Sequence, residues 1–545
     1  MTRRLAATAV VVCLSMLLLQ VWLITHRNLD IDELEHAHAA WSFAHGLMPY
    51  RDFFEHHTPW IYFAAAPTLA SARVATNTDA ALGWFVDARL VMLAITVAVM
   101  ALVYVHARLG GDTWSGLIAV TLLVTSAQFM DRILDFRPDV PALGCGMASL
   151  LLARIGWRSE SRRVPLLAWL ASGAMLGAAV MFTQKCLFVL PGFGLALLID
   201  VARASSHQRI VRLWRVVVFG VGVVAPIALT VAWFARHDAL IPFLHYNLAE
   251  NLRLNQQRFS PLPRALAHVL HSPALAIPGL LGLIGETRMV WRRPDDRVLL
   301  VATAFSWLAG VVIQGRVYEQ YWIQFLPLFA VFGSWWLQQH IDQLPSVGST
   351  GALRLRMLTL AAVIVSVIAL VMFVPDPTAT RGAIQVAGFG ASAALTGVAV
   401  WVWTRGRRTA AGMFLLVAMA ALAVGNVARD FDGMDQQVAD LRYVIEHTAP
   451  TDATFAASTG AGVFRPHVWY YFFNSGSFAT DAELAEISDA IVGGRVRPRI
   501  VMLAPLEMPI PPAIWTYVQS HYRRVSPTLY DRDVTEGKTS TAARD

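Results

Sequence analysis

The chain consists mainly of apolar runs of about 17 to 22 residues, separated by short polar connections. An α-helix needs a run of this length to cross the hydrocarbon core of a bilayer. The first run has no clear small-x-small cleavage site after it, so we interpret it as a span and not as a cleaved signal peptide. The pattern predicts about thirteen spans, near residues 5–25, 86–107, 114–130, 140–155, 166–182, 186–201, 216–235, 268–287, 298–314, 321–339, 357–374, 383–403 and 411–427.

The connections between the runs alternate in charge, and this alternation predicts the topology. Residues 58–75 are excluded from the spans because the run is short and contains Pro59, Pro67 and Arg73, which favour a re-entrant or interfacial helix. Every second connection is then short and rich in arginine, and the positive-inside rule places these connections in the cytoplasm. They contain Arg154, Arg158, Arg162 and Arg163; Arg203, Arg209, Arg212 and Arg215; Arg288, Arg292, Arg293 and Arg297; and Arg405, Arg407 and Arg408. The intervening connections and the C-terminal tail are predicted to be extracytoplasmic.

Hydropathy falls after residue 427, and residues 428–545 are predicted to form a small α/β domain after a membrane domain over 1–427. Residues 435–447 have the apolar periodicity of a helix. A second helix is predicted after Thr480, with Glu483 completing a capping box and Gly493 and Gly494 ending it. Residues 454–458 and 499–505 are predicted to be strands.

Composition excludes a soluble or nucleic-acid-binding protein. Of the residues, 56% are hydrophobic and only 15% are charged, and the mean hydropathy is +0.50. The net charge of +7 lies in clusters between apolar runs, which indicates topology and not nucleic-acid binding. Arginine supplies nearly all positive charge, since Lys185 and Lys538 are the only lysines. The fold class predicted is an α-helical polytopic membrane protein.

Residues 30–60, in the large loop 27–85 that follows the first span, carry an unusual density of ionisable groups. The stretch contains six carboxylates and five histidines, and the interleaved aromatic residues suggest short amphipathic helices on the membrane surface. Asp30 or Asp32 fits the N-cap of a helix that ends near Gly46. Asp32, with Glu33 beside it, also fits a carboxylate that deprotonates an acceptor hydroxyl or orients a metal. The two roles are compatible.

Two ionisable residues elsewhere lie at the predicted extracytoplasmic ends of spans. Asp139 enters an apolar run between Pro138 and Pro141, which marks a functional candidate unless it only pairs with Arg132 or Arg137. We interpret the neighbouring Asp131 and Asp135 as ordinary loop acids. Lys185 is a compact point charge suited to a phosphate oxygen, with a snorkelling anchor as the alternative.

Other polar groups on the same predicted side could bind a metal or an anion. Glu55, His56 and His57 suit a divalent metal or a phosphate, although adjacent histidines point apart in regular structure. The loop 236–266 offers a basic, amide-rich surface that includes Arg253 and Arg258. The segment around residue 318 adds Arg316 and Tyr318, while its other aromatic residues fit an interfacial belt.

Four motifs in order resemble the polytopic GT-C glycosyltransferases, in particular the protein mannosyltransferase and lipid A aminoarabinose transferase group. DELEHAHAAWSFAHGLMPYRDFFEHHTPW is similar to that group's first large loop, with its Asp-Glu pair and Gly-x-x-Pro-Tyr-x-Asp-like stretch. RPDVPAL is similar to its second Asp motif, GAAVMFTQKCLFVLPG to its Gly-rich span ending in Lys, and YEQYWIQFLPLFAVFG to its Leu-Pro-Leu segment. The motifs cover residues 1–340 and specify no sugar.

The resemblance implies transfer of a sugar from a polyprenyl-phosphate carrier to an acceptor hydroxyl on a glycan, lipid or protein, at the extracytoplasmic face of the cell inner membrane. It assigns Asp32, Glu33 and Asp139 as catalytic acids. The residues expected to bind the donor and its phosphate are Lys185, Gln184, His56, Arg253, Arg258, Arg316 and Tyr318. His56 stands where the group often has Lys. Glu55 and His57 are candidate ligands of a divalent metal ion. A transporter or flippase of lipid-linked precursors is the alternative function, but it predicts polar residues distributed through mid-span positions.

Overall fold

In the part of the chain that the structure describes, the long apolar stretches form helices that are joined by short loops and caps. The computed structural model describes residues 3–159, 164–254, 272–313, 318–340, 380–405, 407–429, 431–456, 459–473, 478–503 and 511–532. The helices up to the middle of the chain are α1 (Arg3–His26), α2 (Ile31–Ala44), α3 (Trp60–Ser71), α4 (Thr78–Gly110), α5 (Thr113–Val124), α6 (Ala127–Arg132), α7 (Asp139–Arg158), α8 (Val164–Phe182), α9 (Leu190–Ala202), α10 (Ser206–Arg236), α11 (Leu240–Leu244) and α12 (Asn251–Leu254).

The later membrane-region helices are α13 (Pro273–Arg292), α14 (Arg297–Ile313), α15 (Leu326–His340), α16 (Thr380–Trp403) and α17 (Arg408–Arg429). Turns of 3-10 helix span Gln184–Val189 and Glu319–Trp322, and a π-helical segment spans His245–Glu250. Among the described residues, seven helical stretches are long and apolar enough to cross a membrane. These features confirm the predicted class of a multi-pass helical membrane protein. The span predicted at 357–374 lies outside the described residues.

Close helix packing fixes the end of α8, where the Gln184 and Lys185 turn begins. Helix α8 packs along α7 and α10. At the crossing with α10, a Cβ on Gly173 would lie 2.1 Å from the carbonyl oxygen of Phe219. Only glycine permits this approach, as is common where helices meet in membranes. The turn at Gln184 therefore projects from a rigid pair of helices.

The expectation of amphipathic surface helices in the first loop is wrong for α2. Ten consecutive residues of this helix, from Glu33 to Ser42, are buried, including two histidines and two glutamates. Helix α2 packs against α3 on one side and against the C-terminal part of the chain on another. Helix α3 has 12 residues, or roughly 18 Å at 1.5 Å per residue, which is too short to cross a bilayer.

A buried ion pair joins this loop to the membrane helices. The Glu33 carboxylate accepts hydrogen bonds from Arg89 on α4 at 3.0 and 2.6 Å, and from the backbone N–H of Phe136 at 2.9 Å. Arg89 also donates to three carbonyl oxygens at the end of α1, those of Ile24, Arg27 and Asn28. Both side chains are at most 1% exposed. One arginine thus holds the end of α1, the start of α2 and the segment before α7 together.

Arginine-rich connections lie at the opposite end of the helices. Arg154 and Arg158, at the end of α7, pair with Asp296 at 2.6 and 2.8 Å. Arg212 and Arg215, near the start of α10, pair with Asp200 at 2.5 and 3.2 Å. The charges that the topology prediction used are therefore separated along the helices from the acids of the first loop.

The described residues between 435 and 532, here called the C-terminal region, form a small α/β unit of the predicted kind. The helices are α18 (Asp435–His447), α19 (Asp481–Val492) and α20 (Pro512–His521), and the strands are β1 (Thr454–Ala456), β2 (Ile500–Met502), β3 (Arg523–Arg524) and β4 (Leu529–Asp531). The sheet order is β1-β2-β4-β3, with β1 and β2 parallel and the other pairs antiparallel. The capping box of Thr480 and Glu483 is confirmed, and Gly494 adopts the left-handed conformation after α19.

The C-terminal region contacts the first loop at several separate points. The Phe54 N–H donates to the Tyr470 carbonyl at 2.9 Å, and the Tyr470 hydroxyl donates to the Tyr50 carbonyl at 2.6 Å. Arg465, which is 1% exposed, donates to the carbonyl of Ala75 at 2.9 Å. The C-terminal region therefore covers the face of the loop that the membrane helices leave open.

Replacing Arg89 by Ala should leave the Glu33 carboxylate buried without its cation. Removal of one partner of a buried pair costs about 3–5 kcal/mol, so the midpoint of thermal unfolding in detergent should fall well below that of the wild type. Arg108→Ala is the matched control, since Arg108 is exposed on the same helix. Equal unfolding midpoints for the two variants would contradict the role assigned to the ion pair.

Candidate functional site

Asp30 begins α2 and acts as its N-cap, as the sequence predicted. Its carboxylate accepts from the Asp32 N–H at 2.9 Å, and the Asp30 N–H donates to the Glu33 carboxylate at 3.0 Å, which completes a capping box. His45 is the C-cap, and Gly46 follows with φ of +89°. The caps fix the register of α2 and therefore the direction in which the Asp32 side chain projects.

Arg137 joins the acids of the first and second motifs. This arginine forms ion pairs with Asp32, with Asp30 at 3.4 Å and with Asp139 at 3.8 Å. It is 4% exposed, whereas the Asp32 side chain is 22% exposed and those of Glu33 and Asp139 are at most 3% exposed. Asp32 is therefore the only one of the three predicted catalytic acids that solvent or a substrate reaches directly.

Asp139 and Lys185 are brought together from different helices. The Lys185 Nζ lies 3.2 Å from the Asp139 carboxylate and 4.3 Å from the centre of the Tyr321 ring. Gln324 donates to the Asp139 carbonyl at 2.7 Å. Asp139 therefore does form the salt bridge with Arg137 that the sequence offered as an alternative. Lys185 is not a snorkelling anchor, because its side chain is only 11% exposed and pairs with a carboxylate.

Glu33 occupies a structural position in this network. Arg89, Phe136 and Asp30 together donate to both of its oxygens. The side chain is fully buried. Its catalytic role stays a prediction, and its contacts favour a positioning role.

Asp135 is not the ordinary loop acid that the sequence suggested. Its side chain is fully buried against Arg27, which also contacts Asp131 at 3.2 Å. Burial raises the pKa of Asp135 to about 7, although Arg27 acts in the opposite direction. For Asp30, burial raises the pKa but Arg137 and Arg132 outweigh it and hold the pKa below its usual value. Asp30 is therefore ionised in the same network.

A second cluster lies next to the first, one turn further along α2, and contains four groups that suit a metal ion. Glu35 and His36 from α2 face Glu55 and His57 from the following loop, and one ligand atom from each lies within 4.8 Å of the others. Among the described residues, neither oxygen of the buried Glu35 carboxylate has a hydrogen-bond partner, and the His57 Nδ1 is 3.6 Å away. Two buried carboxylates so close together require a cation or a proton.

The protonation of the cluster follows from its burial. Burial, and then the charge of Glu55, raise the pKa of Glu35 to about 8. Burial lowers the pKa of His57, but the neighbouring carboxylates of Glu35 and Glu55 outweigh burial and raise it to about 10; Glu55 lies 3.0 Å from the His57 Nδ1. Without a metal, protons on Glu35 and His57 compensate the buried charge; a bound cation would displace them.

Hydrogen bonds to the backbone hold the loop that supplies His57. Gln184 and Asn251 both donate to the His56 carbonyl at 2.9 Å, and the Tyr50 hydroxyl donates to the His57 carbonyl at 2.5 Å. Tyr50 has φ of +68°, a left-handed conformation that is strained for an aromatic residue and typical of functional loops. The His56 ring lies 4.7 Å from the centre of the Phe478 ring.

The other predicted donor-binding residues are spread more widely. Arg253 pairs with Glu250 at 2.7 Å, is half exposed, and lies 3.5 Å from the carbonyl oxygen of Phe478. Tyr318 packs edge-on against Tyr321, which contacts Lys185. Arg258 and Arg316 lie outside the described residues.

Sequence reasoning missed several residues that build the two clusters. Arg137 was considered only as a partner that would neutralise Asp139, although its place next to the Pro-Asp pair could have indicated a shared role. Arg89 is an isolated cation within an apolar run, which is itself a signal for a buried partner. Glu35 and His36 lay in the acidic stretch, but their approach to Glu55 and His57 depends on the fold of the loop.

Comparison with protein families gives one partial match. Residues 85–230 match the sequence model of the family described as dolichyl-phosphate-mannose-protein mannosyltransferase. The matched segment includes α7, Asp139 and Lys185. A comparison with curated proteins found no significant match.

Solved structures with a similar fold cover nearly the whole chain. ArnT from Cupriavidus metallidurans bound to undecaprenyl phosphate has 12% sequence identity and a TM-score of 0.65, over 96% of this chain and 98% of that chain. The apo structure of the same protein gives 13% identity and a TM-score of 0.65, over 96% and 97%. The resemblance to the polytopic GT-C glycosyltransferases is therefore confirmed as a shared fold, with a mannosyltransferase sequence match over residues 85–230.

Proposed function

We propose that the chain is a membrane glycosyltransferase that moves a sugar from a polyprenyl-phosphate carrier to an acceptor hydroxyl at the extracytoplasmic face. The observation that carries this proposal is the single network of Asp32, Arg137, Asp139 and Lys185, in which a partly exposed carboxylate and a buried ammonium group belong to different helices. The shared fold with a protein bound to undecaprenyl phosphate supports the class of donor.

In this mechanism Asp32 accepts the proton of the acceptor hydroxyl. The hydroxyl oxygen bonds to the anomeric carbon, and the bond from that carbon to the phosphate oxygen breaks. The electron pair leaves with the polyprenyl phosphate, whose charge Lys185 stabilises. A phosphate is already a competent leaving group, so no nucleotide is needed. Arg137 holds the Asp32 carboxylate in its orientation through their ion pair.

The arrangement of charge supports an extracytoplasmic site in the inner membrane. The arginine-rich connections with Arg158, Arg212 and Arg215 lie at the end of the helices away from Asp32 and Asp139, as the positive-inside rule requires for a cytoplasmic face. On this topology, residues 1–427 form the catalytic membrane domain and residues 428–545 an extracytoplasmic domain.

We further propose that Glu35, His36, Glu55 and His57 hold a divalent metal ion. Mixed imidazole and carboxylate ligands suit zinc or manganese. The hydroxyl of Tyr62 lies 3.1 Å from His36 Nδ1 and would orient that ring, as a hydrogen-bonded partner often does for a ligating histidine. The ion would compensate the two buried carboxylates and stiffen the loop beside Asp32.

Asp32→Asn should abolish transfer because an amide cannot take the proton. Positioned bases contribute roughly 100- to 10,000-fold, so the initial rate should fall at least about 100-fold while the protein inserts and folds normally. The assay incubates proteoliposomes with a panel of radiolabelled polyprenyl-phosphate sugars and identifies the labelled product. Asp87→Asn, which changes an exposed carboxylate on α4, is the control. Full activity of Asp32→Asn would refute this mechanism.

Lys185→Ala should weaken binding of the donor phosphate, because the remaining Arg137 is already shared among three carboxylates. A charge-assisted hydrogen bond contributes about 1.5–3 kcal/mol, so the KM for the donor should rise roughly tenfold or more. Lys185→Arg keeps the charge and should retain part of the affinity. An unchanged donor KM in Lys185→Ala would remove the phosphate-binding role.

Purified protein should contain about one tightly bound divalent ion per chain if the four-residue cluster is a metal site. Elemental mass spectrometry after dialysis measures this stoichiometry without reference to activity. The double variant Glu35→Gln, His57→Ala should lose the ion, whereas His45→Ala, an exposed histidine at the end of α2, should keep it. A wild type that is free of metal after purification in zinc and in manganese would rule the site out.

A further inference from the structure

The side chain of Gln437, in the C-terminal region, forms two hydrogen bonds with the backbone of Leu29, directly before α2. On α18, the Gln437 Oε1 accepts from the Leu29 N–H at 2.7 Å, and the Gln437 Nε2 donates to the Leu29 carbonyl at 2.9 Å. One residue earlier, the Asn28 N–H donates to the Asp432 carbonyl at 2.8 Å. Leu29 is 4% exposed. The amide of Gln437 therefore satisfies both backbone groups of a buried residue.

Leu29 immediately precedes Asp30, the first residue of the charge network. Asp30 follows Leu29, caps α2 and contacts Arg132 at 3.1 Å and Arg137 at 3.4 Å. Arg137 in turn holds Asp32. Because the backbone of residue 29 is fixed on both its N–H and its C=O, the cap and the first turn of α2 have one position relative to Arg137. Loss of these two hydrogen bonds would loosen residues 29 and 30 and so displace the start of α2 slightly, while the Glu33 and Arg89 pair keeps the helix in place.

We propose that Gln437 is a positioning residue for the transfer reaction, through which the C-terminal region sets the place of Asp32. This inference rests on the proposed function. Gln437 touches neither a reacting group nor the cluster of Glu35 and His57; it acts through Leu29 and the cap of Asp30. The C-terminal region thereby becomes part of the catalytic apparatus and not only a cover over the loop.

Removal of Gln437 should not undock the C-terminal region. Independent contacts to the first loop remain, since Tyr470 bonds to Phe54 and Tyr50, Arg465 bonds to Ala75, and the His38 Nδ1 lies 2.9 Å from the Val463 carbonyl. The buried apolar cluster that includes Leu441 and Phe472 with residues of α2 and α4 also remains. The effect of Gln437 on the reaction can therefore be separated from an effect on folding.

The test compares Gln437→Ala with Gln436→Ala in full-length protein. Gln436 is the ideal control because it is the same residue type on the same helix, exposed, and bonded only to Asp440 at 2.8 Å among the described contacts. With a polyprenyl-phosphate sugar donor, kcat of Gln437→Ala should fall roughly tenfold, since small misplacements of a reacting group are costly. The KM for the donor should stay within about twofold, because Lys185 is unaffected.

The conservative variant Gln437→Glu separates positioning from loss of bulk. A glutamate can accept from the Leu29 N–H but cannot donate to the Leu29 carbonyl, so its kcat should lie between those of the wild type and Gln437→Ala. A role limited to filling space predicts wild-type kcat for Gln437→Glu and would overturn the proposal. Equal kcat in wild type and Gln437→Ala would also overturn it.

Hydrogen exchange gives a readout that needs no reaction. Amide exchange in the peptide that covers residues 27–34 should accelerate in Gln437→Ala and remain at the wild-type rate in Gln436→Ala, with the unfolding midpoint of both variants unchanged. Unaltered exchange in Gln437→Ala would refute the positioning role whatever the enzyme does. A wild-type protein that transfers no sugar from any donor would instead refute the proposed function.

Discussion

The buried ion pair of Glu33 and Arg89 is the interaction on which the site depends. Charges are costly away from water, so the pair persists only because every hydrogen-bonding position around Glu33 is used. The other N–H groups of Arg89 donate hydrogen bonds to the carbonyl oxygens at the end of α1. A single guanidinium group therefore converts the first turn of a loop helix into an extension of the membrane helices. The backbone of Asp32, two residues after the N-cap Asp30, is held in place by the same contacts.

From this pair the charges continue as a connected chain from α2 and α6 to α7 and the 3-10 turn that carries Lys185. Asp30 contacts Arg132 and Arg137, Arg137 contacts Asp32 and Asp139, and Asp139 contacts Lys185. Each carboxylate has a cation beside it, and Asp32 alone combines a cationic partner with appreciable exposure among the three predicted catalytic acids. The adjoining cluster around Glu35 and His57 differs, because it holds two buried carboxylates and no arginine or lysine. The first cluster thus places a partly exposed carboxylate beside fixed cations, whereas the second has buried negative charge that a proton or a cation must balance.

Local chemistry made several parts of this structure predictable. The capping boxes at Asp30 and Thr480 were predictable because they depend on residues three positions apart. Lys185 was noticed because the chain otherwise uses arginine, and it does meet Asp139. The burial of α2 was not predictable, since its mixed sequence resembles a surface helix until the C-terminal region covers it. The burial of Asp135 was also missed, because it depends on its contact with the distant Arg27. The hydrogen bonds between Gln437 and Leu29 join residues 408 positions apart, which no pattern of spacing in the sequence can indicate.

The distance along the chain between Leu29 and Gln437 has a consequence for biosynthesis. The first two spans and the loop between them leave the ribosome and enter the membrane long before residues 432–470 are made. Throughout that interval, helix α2 carries two glutamates and two histidines that the finished protein buries, and its first turn lacks the contact at Leu29. The nascent chain therefore passes through a stage in which helix α2 is present but has not yet bonded to the C-terminal region. Only when the last fifth of the polypeptide is synthesised can Gln437 bond to Leu29, so the burial of α2 is completed after the helices that flank it have been made.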